Sequence, residues 1–332
     1  MKNLIALCLC LLCVFFYNVH AQAAEAEIKW DMPNEYGETS LAAETDKLFI
    51  EKVAELSDGR IQITYHPGGS LGYKTAQHFD SVGDGAIPLA SSFMAPLRGI
   101  DPLFSLVSLP FLCKNIQESR FLFEIARPYF DELFKKNNQI ILYVSPWPTC
   151  GIWSKKPIKE PSDLKDLIIR VYDPESTKAF SNAGATTLQL TWADIVPQLS
   201  TGGINSVLTS AEGGVFSKFW DFMDHYTELN YISPLMIVHM NEKEFNKLPK
   251  DMQDAVLYAA GFAEENAWTR VHTRAEKNYA ELEEKGVKVT KEIPEELRAY
   301  LVKSGELAIE DWVKRTGEKG ARIVDEFKKR VE

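Results

Sequence analysis

Beyond its first two dozen residues the chain is poor in cysteine: Cys8, Cys10 and Cys13 lie in that leading stretch, and only Cys113 and Cys150 follow. These two stand 37 positions apart, which matches no metal-type spacing, and a single disulfide between them stays open. Beyond the leading stretch, which holds His20, histidines are few and scattered, at His66, His78, His225, His239 and His272, with no H-E-x-x-H pattern, so no metal is expected. Gly83-Asp84-Gly85 reads as a turn or helix stop, and no glycine loop precedes a Walker-type lysine, so no cofactor is expected either. Cationic stripes with interleaved aromatics are missing and the formal net charge is −10. That balance argues against nucleic acid and against adsorption to anionic lipid. No internal repeat and no low-complexity segment is present.

What is present begins with Lys2, an apolar run over 4–16, and Ala21 and Ala23 in an Ala-x-Ala pattern. This reads as a secretory signal peptide over 1–23, its apolar core too short to span a bilayer. No later apolar run could cross a membrane, so a free periplasmic protein without direct membrane insertion is expected. The remainder exceeds the size one core usually serves, which points to two α/β lobes. Alternation and helical spacing predict strand over 27–32, helix over 41–56, strand over 60–65, helix over 73–82 and strand over 87–90. Such an order implies a parallel sheet with ligands outside the carboxyl ends of its strands, so the loops at 33–36, 73–74 and 91–94 face one crevice. A helix over 116–134 with a kink or break at Pro128, and a strand over 139–144, follow.

A second block has strands over 150–154, 167–171, 187–190 and 204–209, a helix over 175–183, and another opened by Thr191-Trp192-Ala193-Asp194, a capping-box pattern. The apolar stretch 232–240 suits a buried strand returning to the first lobe. A helix over 250–285 is longer than either lobe needs. A strand over 287–290 and helices over 294–316 and 320–331 complete the chain.

Arg170 stands out because it interrupts the apolar run of Leu167, Ile168, Ile169 and Val171. A buried arginine is rarely unpaired, and its planar fork suits bidentate carboxylate recognition. Two plainer readings remain: the side chain snorkels outward, or it pairs with Asp173. An enzymatic alternative rests on Gly68-Gly69-Ser70-Leu71-Gly72, which matches the G-x-S-x-G elbow of serine hydrolases, although glycines here equally serve a tight turn.

Several segments together carry a family resemblance: 28–34, Gly69-Ser70-Leu71-Gly72, Leu109-Pro110-Phe111-Leu112, 156–164 leading into Arg170, 193–202, Lys218-Phe219-Trp220 and 248–253. The chain resembles the extracytoplasmic solute-binding proteins of tripartite ATP-independent periplasmic (TRAP) transporters, the dicarboxylate-binding-protein-like family. The resemblance implies an α/β, two-lobed periplasmic-binding-protein fold with a long interlobe helix. The expected division is 24–147 plus 232–275 for the first lobe and 148–231 plus 276–332 for the second, closing about strands near Trp147 and Tyr231.

It also implies a binding protein, not an enzyme, that delivers a small organic carboxylate to TRAP permease subunits, with Arg170 as the anchor. Cys150 replaces a second basic residue of many members, and Thr209-Ser210 replaces asparagine-proline. The expected lining is Arg170, Tyr172, Trp192, Thr209, Tyr231 and Cys150 on one side and Asn34, Tyr36, Tyr73, Lys74, Ser92 and Phe93 on the other. So aromatic a set, with Cys150 in the place of a second cation beside Arg170, points to an aromatic or bulky apolar monocarboxylate stacked on Trp192 and Phe93.

Overall fold

The structure is a computed structural model that describes residues 26–331. The signal peptide expected over 1–23, with Cys8, Cys10 and Cys13, lies outside the described residues. Strand β1 (Ile28–Pro33) leads to helix α1 (Leu41–Leu56), whose N-terminus is capped by Ser40 Oγ accepting from Ala43 N at 3.0 Å. Asp58 and Gly59 end the helix with φ of 53° and 76°, and β2 (Ile61–His66) returns parallel to β1. Gly68, Gly69 and Gly72 also have positive φ, and helix α2 (Thr75–Gly83) starts only after Ser70 and the next four residues. The Gly68–Gly72 segment is therefore a turn, without the strand-to-helix elbow a serine nucleophile needs.

Strand β3 (Leu89–Phe93) begins and ends later than expected. Helix α3 (Ile116–Lys136) runs through Pro128 without ending there, and β4 (Gln139–Pro146) leads by a three-residue connection to β5 (Cys150–Ser154). In the second block come β6 (Ile168–Val171), α4 (Pro174–Asn182), β7 (Thr186–Gln189), α5 (Ile195–Thr201), β8 (Ser206–Ser210), α6 (Ala211–Phe216) and β9 (His225–Thr227). Thr191 Oγ1 donates to Asp194 Oδ2 at 2.6 Å, yet Thr191 caps no backbone N–H, so the expected capping box is not formed. Strand β10 (Leu235–Asn241), α7 (Glu242–Asn246), α8 (Lys250–Glu284), β11 (Lys288–Thr290), α9 (Glu295–Thr316) and α10 (Glu318–Val331) follow.

The first lobe's sheet corrects the expectation of a purely parallel array. β1 and β2 are parallel, but β10 lies antiparallel between β3 and β4, and one parallel bridge, Asn34 to Ser91, joins the two groups. The second lobe has a six-stranded mixed sheet in the order β11-β9-β5-β8-β6-β7.

Helix α8 has 35 residues, about 50 Å at 1.5 Å per residue, and joins three cores. Met252 to Ala263 pack with Trp30, Phe49 and Val238; Trp268 lies with Phe104 and Phe130; Tyr279 and Leu282 lie with Trp153 and Tyr226 of the second lobe. Helix α9 bridges likewise, with Leu297 and Leu301 in the second lobe and Trp312 in the first. Ile323, Val324 and Phe327 of α10 then pack with Phe123 and Phe130 of α3. The last part of 276–332 thus belongs with the first lobe, contrary to the expected division, because the apolar face of α10 is satisfied by α3.

Candidate ligand-binding site

Strand β6 carries Arg170 between β7 and β8, with Leu188 and Val207 as its register partners. The residue is 5% exposed. Its Nε donates to Leu190 O at 3.1 Å and its Nη1 to Leu208 O at 3.4 Å, which hold the guanidinium plane in place. Among the described residues no carboxylate lies within ion-pair distance. Asp173 instead caps α4, its Oδ1 accepting from Ser176 N at 2.7 Å, so the internal-pair reading of the sequence is ruled out. Burial pulls the Arg170 pKa down to about 10, which leaves it charged at neutral pH. A buried cation fixed by carbonyls and lacking a counter-ion is a receptor for an anion.

Two rings flank that cation, Tyr172 at 5.5 Å and Trp192 at 5.7 Å from the guanidinium carbon. Trp192 also lies 6.0 Å from Phe219 and is 38% exposed. Gly213 makes this approach possible: a Cβ there would come 2.6 Å from Thr209 Oγ1 and 3.0 Å from the Trp192 ring. Cys150 is buried nearby, its thiol pushed well above the usual range by burial, with the Glu228 charge adding to that and Arg170 opposing it. Both Cys113 and Cys150 are free thiols, Cys113 against the first lobe's core and Cys150 inside the second's.

From the first lobe, Tyr36 reaches across to within electrostatic influence of Arg170, while burial drives its hydroxyl pKa upward. Its ring packs edge-on against Phe93 at 5.8 Å and Trp147 at 5.5 Å, and Trp147 in turn meets Phe216 of α6 at 6.2 Å. Trp147, Phe216, Phe219 and Gly213 were not singled out as site residues. Trp147 had a signal, an aromatic between prolines at the end of a buried strand.

Other expected lining residues are occupied elsewhere. Asn34 is fully buried, donating to Asp46 Oδ2 at 2.9 Å and Ser91 Oγ at 3.2 Å, while its Oδ1 accepts from Tyr36 N. Ser92 sits between His78 Nδ1 at 3.0 Å and His239 Nε2 at 2.8 Å. Tyr73 packs with Leu71 on Val82, Ile87 and Ala90, and Lys74 is exposed at the start of α2. Tyr231 is wholly buried between Phe111 and Phe180, at 5.1 and 5.5 Å, so it backs the site from inside the second lobe. Asn34 and Ser92 are thus held in frameworks inside the first lobe, whereas Tyr231 keeps a buried hydroxyl without a hydrogen-bond partner among the described residues.

Among the described residues no group of three His, Cys, Asp or Glu side chains could hold a metal ion, and no helix is long and apolar enough to cross a membrane.

A two-lobed receptor for a small anion is what this fold and site define. Residues 34–309 match the model of the bacterial extracellular solute-binding protein family 7, and the chain belongs to that family of extracytoplasmic receptors, which are not enzymes. An extracytoplasmic solute receptor of Bordetella pertussis that binds pyroglutamic acid superposes with a TM-score of 0.84 at 27% identity, covering 91% of this chain and 99% of that one. A marine-metagenome TRAP solute-binding protein holding co-purified pyroglutamate gives 0.83 at 28% identity, covering 92% and 100%. The 2,3-diketo-L-gulonate-binding periplasmic protein YiaO of Escherichia coli is 25% identical over 64% of this chain and 66% of its own length. The chain spans 63% to 72% of the length of the first curated relatives it matches.

Proposed function

We propose that the protein captures a small organic monocarboxylate between its lobes, through Arg170, and delivers it to TRAP permease subunits in the membrane. The observation that carries this reading is the buried Arg170 guanidinium, fixed by two carbonyls and left without a counter-ion. A charge-assisted bond to it contributes about 1.5–3 kcal/mol, whereas micromolar binding needs about 8 kcal/mol, so the walls provide the larger share. Those walls are Tyr172, Trp192 and Thr209 from the second lobe and Tyr36 and Phe93 from the first. Their aromatic character and the lack of a second cation favour an aromatic or bulky apolar monocarboxylate.

Pyroglutamate is the second reading. The structures cited above hold that compact lactam acid at 27–28% identity. The buried Trp147 Nε1–H, without a hydrogen-bond partner among the described residues, supplies a donor that a lactam carbonyl could accept. A thermal-shift panel of indole-3-acetate, phenylpyruvate, pyroglutamate, succinate and glucuronate separates these readings. Stabilisation by the aryl acids alone supports the first and by pyroglutamate alone the second. Stabilisation by succinate or glucuronate alone overturns both ligand assignments, while no stabilisation by Arg170→Ala with any acid that stabilises wild type supports the anchor.

A further inference from the structure

Helix α6 stands at the point where the second lobe meets the first. Besides Phe216 on Trp147, it carries Glu212, which is wholly buried. Glu212 Oε1 accepts a hydrogen bond at 3.0 Å from Leu41 N, the first residue of α1 in the first lobe, 171 positions away in sequence. The N–H groups of a helix's first turn have no partner within their own helix, and a carboxylate there is favoured by the helix dipole. Ser40 satisfies Ala43 N; Glu212, from the opposite lobe, satisfies Leu41 N.

The surroundings of this carboxyl group are unbalanced. Its Oε2 is buried with no hydrogen-bond partner. From α8, Arg274 Nε stands 3.7 Å from Oε1, but the same guanidinium is paired through Nη2 with Glu44 of α1, which Arg270 of α8 also holds. From β5, Cys150 is a neutral thiol, and Asp221 in the turn after α6 is solvent-exposed. β8 brings no charged side chain. An opened cleft would return both carboxyl oxygens to water.

We infer that Glu212 is an interlobe latch made only on closure, and that closing the cleft takes up a proton on its carboxyl group. The orphaned Oε2 and the neighbouring Glu44 both disfavour a charged carboxylate in the closed form. Burial raises the Glu212 pKa to about 7, with Arg274 and the Leu41 N–H opposing the rise. In the open form the group titrates as an ordinary carboxylate. Between those two values the closed form holds a proton that the open form lacks, so lowering the pH favours closure. With a closed-state value of about 7, the closed-to-open ratio rises about tenfold from pH 8 to pH 6. Arg170, at about 10, and His78 and His239, at about 4 and 3, do not titrate in that interval.

The test uses ligand-free protein, so it stands apart from the identity of the ligand. A dye pair attached at exposed position 55 at the end of α1 and exposed position 200 on α5 reports the lobe-to-lobe distance by single-molecule energy transfer. The closed-to-open ratio of wild type should rise about tenfold from pH 8 to pH 6. Glu212→Gln, which keeps the acceptor oxygen without the charge, should hold at pH 8 a closed-to-open ratio above the one that wild type reaches at pH 6, with no pH response. Glu212→Ala, which removes the bond to Leu41 N, should be more open than Glu212→Gln at both pH values, with no pH response. A wild type that does not respond, a Glu212→Gln variant that responds as wild type does, or a Glu212→Ala variant as closed as Glu212→Gln would each overturn the proposal.

Discussion

The two walls of the cleft use their polar groups in opposite ways. On the first-lobe side, Asn34 and Asp46 bond to each other, with Tyr143 Oη donating to Asp46 at 2.7 Å and Tyr65 Oη at 3.2 Å, and Ser92 is tied between His78 and His239. What this lobe turns toward Arg170 is ring surface, from Tyr36. On the second-lobe side, Arg170 has its Nε and Nη1 on carbonyls and its charge unanswered. The difference points to a division of labour in the proposed function: the second lobe would recognise the ligand's charge, and the first would cover it. Polar residues near a cleft are therefore not equivalent evidence of binding; what counts is whether they still have an unmatched charge or donor.

Substitutions can break that comparison. Arg170→Ala should lower affinity by at least a hundredfold in calorimetry with the fold retained, because the ligand carboxylate would be buried without its counter-charge. Arg170→Lys should fail nearly as badly, since one ammonium cannot hold both the Leu190 and Leu208 carbonyls and face the ligand. Equal affinity in either variant would remove the second lobe's claim to recognition. In the first lobe, Asp46→Ala should act on stability instead. Three donors, from Asn34, Tyr65 and Tyr143, lose their acceptor, and chemical denaturation should show a loss of about 3 kcal/mol.

A finer contrast comes from the rings. Trp192→Ala should weaken binding about tenfold through loss of its contact with Arg170 and of ligand burial. Tyr36→Phe, which keeps the packing on Phe93 and Trp147, should change affinity less than threefold. A contrast of another kind lies in pH dependence. Burial lowers the His78 pKa to about 4 and that of His239 to about 3, so the unfolded chain binds protons that the folded one refuses. Their contribution to stability is full above pH about 6.5 and is lost as pH falls through that value toward 4 and 3. His239→Gln should flatten that acid limb relative to wild type in denaturant titrations between pH 7 and pH 4.

Much of this was readable in the residues. Helix α1 and strand β5 stand where periodicity placed them, since each has a stop signal in its own sequence, Asp58-Gly59 and Ser154 before two lysines. Arg170 was legible because a cation inside a β-branched run is costly unless an anion answers it. Asn34 and Ser92 are a different case, since their side chains are matched inside the first lobe. Their partners lie 12 to 147 positions away, and no local pattern reveals that a polar side chain at a strand end is already matched. The docking of α10 on α3, the short β9 and the antiparallel insertion of β10 are likewise tertiary outcomes, decided by which apolar face meets which.

That insertion governs how the molecule comes into being. β10 is the middle strand of the group β3-β10-β4, so the first lobe lacks its centre until residue 241 has emerged, long after β3 and β4. The edges of β3 and β4 stay unpaired throughout synthesis of the entire second block, and long-range pairing of this kind is slow. A chain of this order therefore completes its first lobe only after the strands β5 to β9 of the second have been made.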